Sequence, residues 1–213
     1  VGGVANAINM IGGFNGLTAG VALIMLAAFG LIARQVGDIA LAFSCLVMAA
    51  SVAGFFVVNW PRGKIFLGDG GAYFLGFALA WIAVLLPERN ASVSPWTSLL
   101  TCAYPITEVG FSIYRRRFLR EGYPATQPDA VHLHSLANRR WAKKLWPNAS
   151  LTTQNGMTAP LLWFYALLPC SAAVFFYTSF LATLGALVVS FVFDLLMYHK
   201  LAFFRWLPRG KQD

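Results

Sequence analysis

Charge is what this sequence has least of: Asp, Glu, Lys and Arg make up 11% of 213 residues, and only 8 of them are acidic. An ordinary soluble domain carries about a quarter charged residues, so that class is excluded. Cysteine is scarce too. Cys45, Cys102 and Cys170 lie far apart inside apolar stretches, without C-x-x-C or Cys/His spacing. A disulfide framework and a zinc site are therefore both unsupported, and the three read as small packing residues. No internal repeat is visible.

What is abundant is apolar surface, at 58% of residues. Runs long enough to cross a hydrocarbon layer about 30 Å thick occur at about 17–33, 39–58, 71–86, 95–113, 160–178 and 180–198. The fold class is all-α: a polytopic membrane helical bundle with about six transmembrane helices, forming one domain over 1–213. The net charge of +8 takes its meaning from where the basic residues fall. Arg62, Lys64, Arg115, Arg116, Arg117, Arg120, Arg139, Arg140, Lys143, Lys144, Lys200, Arg205, Arg209 and Lys211 sit in the loops at 59–70 and 115–158 and in the tail after 198, leaving only Arg34 and Arg89 for the other side. Fourteen against two is a positive-inside pattern, which makes those loops cytoplasmic and gives the basic charge to orientation and anionic lipid. Nucleic acid is not implied. Pro105 falls inside the fourth run and is expected to kink it.

Three polar clusters fall on that same side. The first is "NAINMIGGFNGLTAG", residues 6–20, with Asn6 and Asn9 one helical turn apart, then Gly12, Gly13, Asn15 and Gly16. Amides offer donors and acceptors suited to a base or sugar, and glycines allow close backbone approach; a glycine-rich helix start explains the same composition. The second is "FLGDGGAYFLG", which sets Asp69 at the entrance of a helix, as a cap or as one of the few carboxylates that Mg²⁺ takes alongside phosphate oxygens. The third is "PDAVHLHSLANRR", where His132, His134, Arg139 and Arg140 suit an anionic phosphate, or form a solvated basic loop. Residues two apart point about 200° apart on a helix, so the histidines converge only on irregular backbone. Glu108 and Asp194 are acids within apolar runs, which makes both functional candidates; Glu108 is within reach of Arg115 or Arg116, and Asp194 of Lys200.

In this order the clusters resemble the polyprenyl-phosphate N-acetylhexosamine-1-phosphate transferase superfamily, glycosyltransferase family 4, whose bacterial members start O-antigen, common-antigen and peptidoglycan precursors. The opening stretch is similar to N-x-x-N-x-x-D-G-x-D-G-L, "FLGDGG" to F-x-G-D-x-G, and "HLHS" to H-x-H-H. "YPITEVGFSIYRRR" and "QNGMTAPLLW" resemble further family stretches. The resemblance implies transfer of a sugar 1-phosphate from a UDP-N-acetylhexosamine to undecaprenyl phosphate, with release of UMP, at the cytoplasmic face of a bacterial inner membrane. It implies Mg²⁺, with Mn²⁺ as substitute, held at Asp69 as catalytic and metal residue. Asn6, Asn9 and Asn15 would line the nucleotide-sugar side, and His132, His134 and Arg139 would hold phosphate. Membrane lipid, and a second copy of the chain in a homodimer, are the other partners this reading allows. The chain departs from the family at Gly12 and Asn15, where the motif has Asp, and at Ser135, where it has His. The family's earlier Asp-Asp pair and about four further spans have no counterpart, so the chain reads as the C-terminal part of a longer transferase. A degenerate relative that binds lipid phosphate or nucleotide sugar without turnover is the alternative; a transporter, which would set its acids near the bilayer midplane, fits less well.

Overall fold

A helix that is apolar all the way round is covered by protein or by lipid, and α2 (Leu17–Gln35) is the one covered by protein here. It is the most buried of the long helices, with Leu17, Val21, Met25, Phe29 and Ile32 fully enclosed. Around it pack α3 (Ile39–Asn59), α4 (Gly68–Arg89) and α9 (Leu151–Phe176), while α1 (Gly2–Met10) lies against α4. α10 (Phe180–Phe203) closes the bundle and leaves most of its apolar surface open, as α3 does. The computed structural model describes residues 1–118 and 132–203, which contain helices and no strand. Arg120, Asp129, Arg205, Arg209 and Lys211 lie outside the described residues.

Five helices are long and apolar enough to cross a membrane, and the expected fourth span supplies the approximate sixth in two pieces. It is broken at Cys102 into α5 (Pro95–Thr101) and α6 (Ala103–Phe118). The sequence points to a kink at Pro105, and the cause is that residue: without an N–H, Pro105 cannot bond the Thr101 carbonyl four residues back. The Cys170 thiol of α9 donates to that carbonyl instead, at 3.4 Å. The fifth span starts at Leu151, nine residues before the expected 160, so the region 115–158 is less of a loop than the composition suggests. Ser150 caps α9 there by accepting the Thr153 N–H at 3.2 Å. Before it, α7 (Leu133–Ala137) runs through a π-helical turn, Asn138–Ala142, into the short α8 (Lys143–Leu145).

The two ends of the bundle are built differently. At the end holding Arg34 and Arg89, connections are short and stapled: Ser94 N–H donates to Tyr177 O at 2.7 Å, and Arg89 donates twice to the Asp38 carboxylate, at 2.8 and 2.9 Å. Asp38 also caps α3, accepting the Leu41 N–H at 3.1 Å. Partial burial pushes its carboxyl up, but the Leu41 N–H, Arg89 and Asn90 outweigh this and hold it below the usual carboxylate range. A lowered folded-state pKa gives stability that is present above the unfolded value, near 3.9, and lost as pH falls through the folded one. Asp38→Ala is accordingly expected to cost about 1–2 kcal/mol at neutral pH, with the difference from the parent closing below about pH 4, as read by denaturation in detergent micelles at a series of pH values.

Candidate functional site

The stretch between α1 and α2 turns sharply, and Gly16 makes the turn. Its φ of 77° lies in the left-handed region that only glycine enters cheaply. A side chain there would also strike the Trp60 ring, 2.4–2.8 Å from the Cβ position. The backbone N–H groups of Asn15 and Gly16 are tied to distant segments. Asn59, at the end of α3, accepts the Gly16 N–H at 2.6 Å and donates to Ile65 O at 2.7 Å. Asn155 of α9 accepts the Asn15 N–H at 2.8 Å, and the Asn15 amide donates to Pro61 O at 3.3 Å. Trp60 and Trp163 add indole N–H bonds to Gly156 O and Gly16 O, at 2.8 and 3.2 Å, with their rings 5.5 Å apart.

This scaffolding leaves a cavity of about 350 Å³ lined by Asn9, Gly12, Asn15, Thr18, Asn59 and Asp69, with Phe14, Phe55 and Phe66 among its apolar walls. The first two sequence clusters therefore share one space. Asp69 stands in the first turn of α4, exposed at the rim. Gly12 has no positive φ; a Cβ there would meet Asn9 O at 3.0 Å and the Thr18 hydroxyl at 3.7 Å. Asn6 is exposed, makes a 3.6 Å contact to Met10 Sδ, and does not line the cavity.

The third cluster abuts the first. His132 is the residue before α7 and has extended backbone, with ψ 153°, while His134 is already helical. The irregular backbone that convergence requires is this strand-to-helix step, which stacks the two rings at 5.0 Å and 9°. Phe14 meets His134 edge-on with centroids 5.3 Å apart, and His134 Nε2 is 3.6 Å from the Cβ position of Gly13.

Beneath the pair lies Glu108, 3% exposed on α6. Its oxygens are 3.7 and 3.6 Å from Nδ1 of His132 and His134, ion-pairing rather than hydrogen-bonding distances. Glu108 also accepts the Leu133 N–H at 3.3 Å and the Tyr104 hydroxyl at 3.4 Å, so it caps the amino end of α7 from another helix. The side chains of Arg115 and Arg116, at the basic end of α6, lie outside the described ones. Asp194 is buried beside Thr107, not paired with Lys200, which lines a separate cavity of about 510 Å³ with Arg139, Arg140 and Lys144. Arg139 therefore stands apart from the histidines it follows. Sequence reasoning gave no weight to Asn59, Asn155 or Thr18; an amide closing the apolar run "FFVVN" is the one signal that pointed to Asn59.

The helices define a multi-pass membrane protein, with the Asn/Gly, Asp and His clusters side by side. Residues 1–87 match the family described as glycosyl transferase family 4. The chain is 34% identical over 139 residues to the undecaprenyl-phosphate alpha-N-acetylglucosaminyl 1-phosphate transferases of Yersinia pestis and Escherichia coli (strain K12), an alignment covering 63% of this chain and 38% and 37% of those proteins. It is 33% identical over 133 residues to the probable undecaprenyl-phosphate N-acetylglucosaminyl 1-phosphate transferase of Bacillus subtilis (strain 168), covering 62% of this chain and 37% of that one. The chain thus spans under two fifths of the length of these curated relatives.

The turn should be sensitive to its remote tether. Asn155→Ala leaves the buried Asn15 N–H without an acceptor and is expected to lower stability by about 1–3 kcal/mol, measured by denaturation in micelles, whereas Asn6→Ala on the exposed face is expected to change it by less than about 0.5 kcal/mol.

Proposed function

We propose that the full-length protein transfers a sugar 1-phosphate from a UDP-N-acetylated sugar, in the first instance UDP-N-acetylglucosamine, to undecaprenyl phosphate, releasing UMP in cell-envelope polysaccharide synthesis. The observation that carries this is the meeting of two polar segments, distant in sequence, at one cavity, Asn9, Gly12 and Asn15 beside Asp69, with a third packed against its wall through His134 behind Gly13. The activity for which those relatives are named supports the reaction. The crowding of basic residues on the loops of this same end supports a cytoplasmic active face in the inner membrane.

In the reaction an oxygen of the acceptor phosphate attacks the β-phosphorus of the UDP-sugar, a new P–O bond forms, and the P–O bond to UMP breaks with the electron pair leaving on UMP. The residues bind and orient. Asn9 and Asn15 border the nucleotide-sugar side. His132 and His134 face the acceptor phosphate, their ring planes fixed by stacking and by the Glu108 carboxylate below. Phe14 covers the His134 edge and keeps water from that side. Asn6 and Arg139 stand outside the cavity; Arg139 is better suited to a lipid headgroup beside Lys144 and Lys200.

Among the described residues no group of three or more His, Cys, Asp or Glu could hold a metal by itself. The donor set does fit Mg²⁺, or Mn²⁺ in its place, as an ion held by the single Asp69 carboxylate and completed by ligand phosphate oxygens and water. When bound, it would supply neutralisation of the charge that develops on the leaving phosphate.

Asp69→Asn keeps the volume and removes the charge. Transfer by the full-length variant is expected to fall by about 10²–10³-fold at saturating Mg²⁺ with an unchanged melting temperature; activity within a few-fold of the parent, in a radiolabelled lipid-transfer assay, would leave Asp69 only as a first-turn acid of α4, which makes no capping hydrogen bond there.

A further inference from the structure

The basic residues ahead of α9 are not spread evenly over its surface. Arg139, Arg140 and Lys144, from the π-helical turn and α8, border one cavity together with Lys200 from the last turn of α10. Its volume of about 510 Å³ is within the range of about 300–1,000 Å³ usual for sites that take a small organic ligand. Among the described residues no acid borders it. Four like charges around one space repel each other, and an anion seated among them relieves that repulsion. The rest of the wall is apolar, from Trp141, Met197 and Leu201.

The cavity is shaped by packed elements. Successive residues of an α-helix stand about 100° apart, yet the π-helical turn brings three in a row, Arg139, Arg140 and Trp141, to the same space. Such turns are rare and recur at functional sites. This one is pinned by Asn138, whose amide donates to Gln154 O at 3.2 Å and to the Thr158 hydroxyl at 2.8 Å. Behind Trp141 stands a row of rings, with Tyr165 of α9 at 6.5 Å from it and Phe193 of α10 at 5.6 Å from Tyr165.

What fits the cavity follows from its depth in the bilayer. α10 starts at the end that holds Arg34 and Arg89, where the Thr183 hydroxyl pairs with that of Ser94 at 2.9 Å, and its apolar span runs to Leu201. Met197, Lys200 and Leu201 therefore stand where hydrocarbon gives way to headgroups at the other face, the level at which tryptophan gathers and basic side chains reach the interface. A ligand that offers phosphate oxygens to Arg and Lys and an acyl chain to Met197 and Leu201 is an anionic phospholipid, and a basic pocket between membrane helices is where such headgroups bind. Free phosphate would leave the apolar wall uncovered. The reacting groups lie elsewhere: this cavity shares no residue with the one beside Asp69, and neither His132 nor His134 lines it.

We propose that the cavity between the π-helical turn, α8 and the last turn of α10 binds the headgroup of an anionic membrane phospholipid, which is held and not consumed. Because α7 runs directly into the π-helical turn, the bound lipid ties the segment that carries His132 and His134 to the membrane surface.

The test uses the full-length protein in micelles of a neutral detergent, with calorimetric titration of short-chain phosphatidylglycerol, phosphatidylcholine with the same chains, inorganic phosphate and undecaprenyl phosphate. The double variant Lys144→Gln/Lys200→Gln takes two exposed charges from the cavity, and Lys64→Gln/Lys143→Gln takes two exposed charges from outside it. The parent should bind phosphatidylglycerol at least about tenfold more tightly than phosphatidylcholine or phosphate. The first pair should weaken phosphatidylglycerol by at least about tenfold, and the second should leave it within about twofold. Undecaprenyl phosphate should bind all three proteins equally, and only this arm rests on the transferase reading. If phosphatidylglycerol follows the pattern while the parent does not bind undecaprenyl phosphate, the lipid site stands and the transferase reading falls. Equal affinity of the parent for phosphatidylglycerol and phosphatidylcholine overturns the site, as does an equal effect of the two variant pairs. Phosphate bound as tightly as phosphatidylglycerol makes the cavity a free-anion site, and a parallel loss of undecaprenyl phosphate makes it the acceptor's own; either result overturns the proposal. Should the first pair not fold, Lys200→Gln alone must weaken phosphatidylglycerol by about threefold or more, and unchanged binding there overturns the proposal too.

Discussion

A carboxylate 3% exposed in the middle of an apolar bundle must be paid for by what it organises, and Glu108 organises the whole third cluster. It takes the Leu133 N–H, which fixes where α7 begins, and it stands 3.6–3.7 Å from the inner nitrogen of both histidines, which fixes how their rings face. Without it α7 would lose its only cross-helix cap among the described residues, and two imidazole nitrogens would face an apolar helix. The break at Cys102 belongs to the same design. By dividing the fourth span, it lets α6 run from Tyr104 to Glu108 under the histidines while α5 remains stapled to the opposite end through Ser94.

The second constraint is the turn between α1 and α2, which has no regular structure of its own to satisfy its backbone. Amides from α3 and α9 take the N–H groups of Gly16 and Asn15, and two tryptophans close over the glycine. Two helices far apart in sequence, α3 and α9, thus converge on Asn15 and Gly16. The cavity is the space left beside that knot, so its shape is set by the bundle's packing rather than by a mobile loop. Asn9 and Asp69, which the knot does not consume, line that space.

Much of this was legible in the sequence. The apolar runs gave the membrane bundle, and the placement of Arg and Lys separated a stapled end from a polar one. The order of the Asn/Gly, Asp and His clusters pointed to the family before any geometry was known. Less legible were features decided by long-range pairing. Asn15 looks like a ligand residue, yet its amide is drawn to Pro61 and its backbone to Asn155, which lies 140 residues away. The contacts of Glu108 with His132, Leu133 and His134 join residues 24–26 positions apart, a separation that no local pattern in the sequence marks. Leu151–Met157 reads as loop because it is polar, and it is helical because Ser150 caps it and its amides bond inward.

The dependence of the histidine pair on the buried acid is open to a direct measurement, a double-mutant cycle of Glu108→Gln and His134→Gln on the stability of the full-length protein in micelles. If the carboxylate seats the ring, the two changes should be coupled by about 1 kcal/mol or more. Effects that simply add, within about 0.3–0.5 kcal/mol, would mean that Glu108 and His134 are neighbours without being partners, and the account of how the third cluster reaches the cavity would be wrong.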